Sequence, residues 1–265
     1  MMNWQEARPL FQSGKRFYYD ETVISRATLA DLDKNAIQNF FAETQGASWE
    51  SVGLTYERVL VNLKIAQNGG GVLQPTLAGT LFFAQRPQFF VPYAYLSALR
   101  IPGTSLANDP ADQKKIEGPI PDILEDSLRF LYIHLPVPHR IQGLEPEARP
   151  EFPAVALREL LINAFAHRDY TIQGPIRVLI FDDRLEIRSP GRLPNSVTVE
   201  SLRYGVHVLR NPVLYNFFLR MGYVTDAGSG VLRTMARVRE ATGHEPTWEI
   251  EGNEVVVRLV RPREV

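Results

Sequence analysis

No cysteine occurs among the 265 residues. That single absence removes disulfide frameworks, cysteine zinc sites, thiolate nucleophiles and iron–sulfur clusters. Long apolar runs are missing too: none reaches the roughly 18 residues that a membrane span needs. The opening MMNWQEARPLFQSGK holds no apolar core of the signal-peptide kind. Neither sign of charge dominates, with 29 Lys+Arg against 30 Asp+Glu and a net of −1. Such a balance excludes a uniformly basic nucleic-acid coat and still permits a local patch. Lysine is scarce and stops at Lys115, so the second half carries only arginine as its basic residue. Genomic base composition and a demand for bidentate phosphate or carboxylate contacts both produce that bias. There is no G-x-x-x-x-G-K-[ST], hence no P-loop motor, and no HExxH zinc signature. His167-Arg168-Asp169 does not make a kinase catalytic loop, because Gly174 stands where that loop requires Asn.

What is present is the composition of an ordinary globular protein: 45% hydrophobic, 10% aromatic and 22% charged residues. The length suits one or two domains, and the chain is expected to be soluble and cytoplasmic. Residues 1–27 read as a polar arm. From Thr28 a capped helix is expected, with Leu29, Leu32, Ile37, Phe40 and Phe41 at helical spacing. A second helix fits Thr55 to Ala66, and a third, TLAGTLFFA, starts at the cap Thr76. Asn68-Gly69-Gly70-Gly71 is a turn. With an apolar strand over Phe89–Ile101, these helices fit either a winged-helix-like unit or a small helical packing module. Pro102 to Lys115 reads as a loop, Asp122 to His134 as an amphipathic helix, and the Pro-rich stretch from Leu135 to Pro153 as a linker. The boundary is therefore placed so that 28–145 forms a middle region and 146–265 a second domain.

Beyond the linker the pattern predicts a helix from about Pro153 to Arg168 and strands over Ile176–Phe181 and Leu185–Arg188. Helices at Val199–Tyr204, Pro212–Met221 and Gly230–Ala241 follow, then a closing hairpin, Thr247–Ile250 with Val255–Val260. This order implies an α+β fold whose antiparallel or mixed sheet is covered by helices on one face.

Three segments carry candidate chemistry. In ALRELLINAFAHRDY, Glu159, Asn163 and His167 recur every four residues and form one stripe, about 40° apart per step. A carboxylate, an amide and an imidazole in line suit oxygen ligation of a metal with activation of water, or simply the solvated face of an amphipathic helix. LEIRSPGRLP ends a strand in Ser189-Pro190-Gly191, a turn whose Gly lets a backbone approach a ligand closely or merely turn tightly. In TDAGSGVLR, Gly228-Ser229-Gly230 opens a helix, so unpaired N–H groups there suit a phosphate; a flexible entry capped by Asp226 is the plainer alternative. Arg210-Asn211-Pro212 reads as a structural helix start with Asn211 as cap.

Taken together, Arg158–Tyr170 (RExLxNAxxHRDY), Asp183–Pro194 (DRxEIxSPGxLP), Arg210–Pro212 and Gly228–Gly230 resemble the C-terminal ATPase-like domain of the Schlafen AlbA-type transcriptional regulators, also labelled RecG-related DNA helicases. FYYDE (Phe17–Glu21), TLADLD and TLAGTLFFAQRP are similar to the family's middle region. The family's N-terminal AlbA-like domain and the C-terminal winged helix of many relatives have no counterpart here, as expected of a truncated form, a fragment or a short member. The resemblance implies a GHKL-like α/β sandwich behind a helical, winged-helix-like region. It makes Glu159 the general base that orients water and Asn163 an Mg²⁺ ligand. Gly228, Ser229 and Gly230 become the phosphate loop, His167 and Arg168 the nucleotide border, and Ser189 and Gly191 part of the first glycine box. ATP with Mg²⁺ would be the cofactor, with DNA and a second copy of the chain as further partners. One departure stands out: Ser189-Pro190-Gly191 occupies the place where GHKL enzymes carry the Asp that receives the adenine amino group. The functional expectation is a nucleotide-binding regulatory protein, possessing at most a weak ATPase. The alternative is a degenerate ATPase-like scaffold for dimerisation or DNA docking.

Overall fold

The computed structural model describes residues 18–135, 139–142, 145–148, 150–194, 197–202, 204, 208–224 and 230–262. The chain enters through a 3₁₀ turn at Tyr19–Glu21 and a second at Leu29–Asp31. Helices α1 (Lys34–Gln45) and α2 (Tyr56–Asn62) follow, then strands β1 (Ala66–Gly69) and β2 (Val72–Pro75), and helices α3 (Leu77–Phe83) and α4 (Pro87–Phe90). Next come β3 (Leu96–Arg100), β4 (Asp112–Ile116), α5 (Ile120–His134), β5 (His139–Gln142), β6 (Glu145–Ala148) and α6 (Ala154–His167). The last third holds β7 (Ile176–Ile180), β8 (Arg184–Pro190), α7 (Val199–Leu202), α8 (Pro212–Arg220), α9 (Gly230–Thr242), β9 (Thr247–Glu251) and β10 (Glu254–Val260). A helical N-terminal region is thus followed by a sheet domain, and the fold is α+β.

Capping explains the helix starts. Asp33 accepts from the amides of Asn35 and Ala36, Thr55 from Arg58, and Thr76 from Gly79. The helix expected from Thr28 therefore begins later: Thr28 opens only a 3₁₀ turn, its amide and hydroxyl both donating to Asp31, and Asp33 caps the true helix. The second helix ends at Asn62 rather than Ala66, because Lys64 adopts φ 58° and Ala66 already pairs in β1. The predicted Gly-rich turn is the tip of the β1–β2 hairpin. The strand expected from Phe89 is shorter at its start. Pro87 sits in the first turn of α4, where a missing N–H costs nothing, and the chain becomes a strand only from Leu96.

The principal sheet has six strands in the order β4-β3-β7-β8-β10-β9. Only β3 and β7 run parallel, Leu96 opposite Ile176 and Arg100 opposite Ile180. This sheet crosses the expected boundary at 145/146: β3 and β4 come from the proposed middle region yet extend the same sheet as β7 to β10. β4 corrects the loop expected over Pro102–Lys115. Its residues Asp112 to Lys115 are exposed on both faces, so no apolar alternation marks this edge strand.

Alternation sorts the two sheet faces. Leu96, Ala98, Ile176, Val178, Ile187 and Val257 join the main core beneath the helices, while Leu99, Ile101, Leu179 and Phe181 form a small cluster on the opposite face. That opposite face also carries Glu186, buried and paired with Arg184 at 2.7 Å, Arg188 at 2.6 Å and Arg258 at 2.9 Å. Burial pushes the Glu186 carboxyl up, but the three guanidiniums outweigh it and hold it at about 2.

Helix α8 joins the two regions. Phe217 stacks edge-on or tilted against Phe40, Phe82 and Phe83, and Phe218 against Phe82. Residues 18–27, expected as part of a polar arm, belong to this packing: Asp20 and Ala27 are fully buried. Asp20 Oδ2 accepts from the amides of Val213 at 2.8 Å and Leu214 at 3.1 Å. The cap of α8 thus arrives from 193 residues away. Asn211, expected to be that cap, turns its side chain elsewhere: Nδ2 donates to the carbonyls of Ala166 at 2.9 Å and Arg168 at 2.8 Å.

Candidate functional site

An open cleft of about 750 Å³, partly continuous with solvent, lies between α6, the end of β8, the segment after it, the start of α9 and strands β9 and β10. Helix α6 presents Leu160, Asn163, Ala164 and His167 to it, and β8 presents Ile187, Ser189 and Pro190. Arg192, Leu193, Pro194, Val197, Leu202 and Val208 form one wall, with Val231, Trp248, Val255 and Val257 completing the lining. The walls are mainly apolar, with a few polar side chains at one side, the usual character of a small-molecule site.

Helix α6 lacks a polar face open to solvent. Leu157, Leu160, Leu161, Ile162 and Phe165 are all buried, and so is Glu159, at 8% exposure. The predicted stripe is therefore divided. Asn163 and His167 line the cleft, whereas Glu159 lies beside it against the first turn of α9. A Cβ placed on Gly230 would come 1.7 Å from Glu159 Oε1, so only glycine lets α9 begin there without displacing the carboxylate. Burial raises the Glu159 pKa above the ordinary carboxylate range, and the positive charges of Arg233 and Arg237 pull it the other way.

The other predicted residues divide similarly. Ser189 lines the cleft, but its hydroxyl donates to the Ala164 carbonyl at 2.9 Å, tying β8 to α6. Gly191 serves packing. At φ 123° it lets the backbone pass Asp169 and Arg210, where a Cβ would meet Asp169 Cβ at 2.9 Å and Arg210 Nη1 at 2.7 Å. Arg168, expected to border the nucleotide, is 1% exposed and points away from the cleft. Its guanidinium donates to the carbonyls of Tyr93, Ile172 and Gly174 and lies over the rings of Tyr93 and Tyr170. All three hydrogen bonds come from Nη2, two of them to the 170–174 loop, while Nε and Nη1 have no hydrogen-bond partner. Gly228, Ser229 and Asp226 lie outside the described residues. Gly230 opens α9 beside Glu159.

Sequence reasoning overlooked the apolar lining, Trp248 and Val231 above all. One signal was available: Leu160, Asn163, Ala164 and His167 stand at i, i+3, i+4 and i+7, a single helix face. The residues that could meet a divalent cation are the Asn163 amide and the Glu159 carboxylate. Among the described residues no group of three His, Cys, Asp or Glu side chains comes together. A cation held here would complete its shell from ligand oxygens and water, as Mg²⁺ commonly does.

With this geometry in view, the chain is similar over residues 173–259 to the family described as "Putative ATP-dependent DNA helicase recG C-terminal". The match supports an ATPase-like domain of that type and runs from just before β7 almost to the end of β10. A solved structure of the DIP2311 protein from Corynebacterium diphtheriae is similar across 97% of this chain, with 25% sequence identity and a TM-score of 0.68. This chain spans about half of that protein, 49% of its length. A search of curated proteins returned no match. No helix among the described residues is long and apolar enough to cross a membrane.

Proposed function

We propose that the protein is a nucleotide-binding regulatory protein of the Schlafen AlbA type, in which a GHKL-like domain binds ATP with Mg²⁺ and is coupled to a winged-helix-like region. The observation that carries this reading is the meeting of Asn163, His167 and Ser189 in one cleft with Glu159 beside the first turn of α9. Asn163 would supply an oxygen to the cation, and the cation would neutralise phosphate charge when bound. Glu159, whose pKa is raised by burial, would accept a proton from water near the phosphates. Because its pKa is raised, any turnover is expected to increase with pH as the carboxylate ionises. Gly228, Ser229 and Gly230 are proposed to face the phosphates. Arg192, on the cleft wall, adds a cation at its rim.

Titration calorimetry with ATP and Mg²⁺ tests the reading. Binding at or below millimolar nucleotide is expected, Asn163→Ala should weaken its Mg²⁺-dependent part, and Glu159→Gln should retain binding while abolishing turnover. No binding to the unsubstituted protein at millimolar ATP overturns it. A second reading, a degenerate scaffold for dimerisation or DNA docking, draws on Ser189: a hydroxyl committed to Ala164 stands where a carboxylate would receive the adenine amine. Gel shifts on duplex DNA across a salt series test it, since phosphate-dominated binding falls steeply with salt.

A further inference from the structure

Asp20 and the cleft are joined by an unbroken series of short contacts. Asp20 is fully buried, and its Oδ2 accepts from the amides of Val213 and Leu214, the second and third residues of α8. One residue before that helix, Asn211 holds the end of α6 from two directions. Its amide donates to the Ala166 carbonyl at 3.1 Å, and its Nδ2 donates to the carbonyls of Ala166 and Arg168. Arg210 adds an ion pair to Asp169 at 3.0 Å. Between the two carbonyls so gripped sits His167, the last residue of α6 and part of the cleft wall.

We infer that Asp20 is a positioning residue for the cleft: by fixing the first turn of α8, it sets the place of Asn211 and so of the α6 end that carries Asn163 and His167. The first turn of a helix ordinarily has free amides and frays first. Here the Asp20 side chain removes that freedom, and the contacts onward to Ala166 and Arg168 are made by the backbone and buried side chain of Asn211, so displacement at α8 passes to α6 instead of being absorbed by solvent. The same helix buries Phe217 and Phe218 among the aromatic rings of α1 and α3. The docking of the N-terminal segment and the geometry of the cleft are therefore two readings of one helix position. The consequence for ligand binding rests on the nucleotide reading above; the link from Asp20 to α6 does not.

Two variants separate the link from mere stability. Asp20→Asn keeps a carbonyl acceptor for both amides, and Asp20→Ala removes it. Hydrogen exchange is measured without ligand on peptides covering residues 163–168 and 210–216, under conditions where each variant is folded. Asp20→Ala should speed exchange at least about fivefold in both segments and Asp20→Asn by less than about twofold. Mg–ATP affinity, read by calorimetry, should fall at least about fivefold in Asp20→Ala and hold in Asp20→Asn. Faster exchange confined to 210–216 overturns the link, and unchanged affinity in a folded Asp20→Ala protein that has lost protection at 163–168 overturns the positioning of the cleft by that link. If the unsubstituted protein binds no nucleotide while exchange at 163–168 still responds, the nucleotide reading fails and the link stands. Should Asp20→Ala not fold, Asn211→Ala takes its place: it leaves the Asp20 cap intact and must speed exchange at 163–168 alone, and no change there overturns the inference.

Discussion

Replacing Asp20 by asparagine should change how stability depends on pH, in a direction that follows from burial. Burial pushes the Asp20 carboxyl up from 3.8 to about 7, against the two amides of α8 that favour its ionised form, while neighbouring Glu21 adds to the rise. A carboxyl raised on folding contributes most stability below its unfolded pKa, when it is protonated in both states. That contribution declines between about pH 4 and pH 7 as the unfolded chain releases its proton first, and it levels off above about pH 7. Near 1.4 kcal/mol per pH unit, the whole decline is about 4 kcal/mol. Asparagine offers the same acceptor to Val213 and Leu214 and does not titrate. Its extra N–H group takes the position of Oδ1, which has no hydrogen-bond partner. Urea denaturation of both proteins at pH 5, 6, 7 and 8 measures the difference directly. The asparagine protein should gain on the natural one by about 1 kcal/mol per unit from pH 5 to 7, with no further gain at pH 8. A difference that stays flat over this range would refute the reasoning, because it means that the carboxyl ionises as readily in the folded protein as in the unfolded chain.

Gly79→Ala should cost about 3 kcal/mol or more in urea titration, since the new Cβ would lie 2.0 Å from the Ile65 carbonyl oxygen, a backbone atom pinned by the amide and hydroxyl of Thr76. Gly191→Ala combines a positive φ with contacts under 3 Å to Asp169 and Arg210, and a loss of about 2–3 kcal/mol is expected by the same measurement. Arg168→Met should lose about 2–3 kcal/mol by taking the donor from the carbonyls of Tyr93 and Gly174. Arg168→Lys should recover only part of it, because an ammonium has no planar face to lie over the rings of Tyr93 and Tyr170.

Local rules reached far into this protein. Thr55, Thr76 and Pro212 mark true helix starts. The Glu251-Gly252-Asn253 turn joins the predicted strands, and α6 falls where the spacing of Leu157, Leu161 and Phe165 places it. Each of those signals acts within a turn or two of chain, so each is written in neighbouring residues. The candidate site was legible to the same extent: Asn163, His167 and Ser189 do meet, because one helix face and one strand end suffice to bring them together.

The succession of elements, and the helix that carries the polar residues, are thus written in local signals. How those residues are used depends on contacts between distant parts of the chain. Periodicity read Glu159 as part of an open stripe, but α9 covers it, and only the contact with Gly230 reveals why glycine stands there. Arg168 follows a motif toward a ligand on paper, yet it is buried with Nη2 on the carbonyls of Tyr93, Ile172 and Gly174 and its plane over the rings of Tyr93 and Tyr170. β4 and β3 extend a sheet whose other strands begin some sixty residues later. Asp20 in a polar opening segment gave no local sign of burial. Its partners are two amides of a distant helix start, and a pairing over that separation is set by packing of the whole chain, not by the pattern of its neighbours.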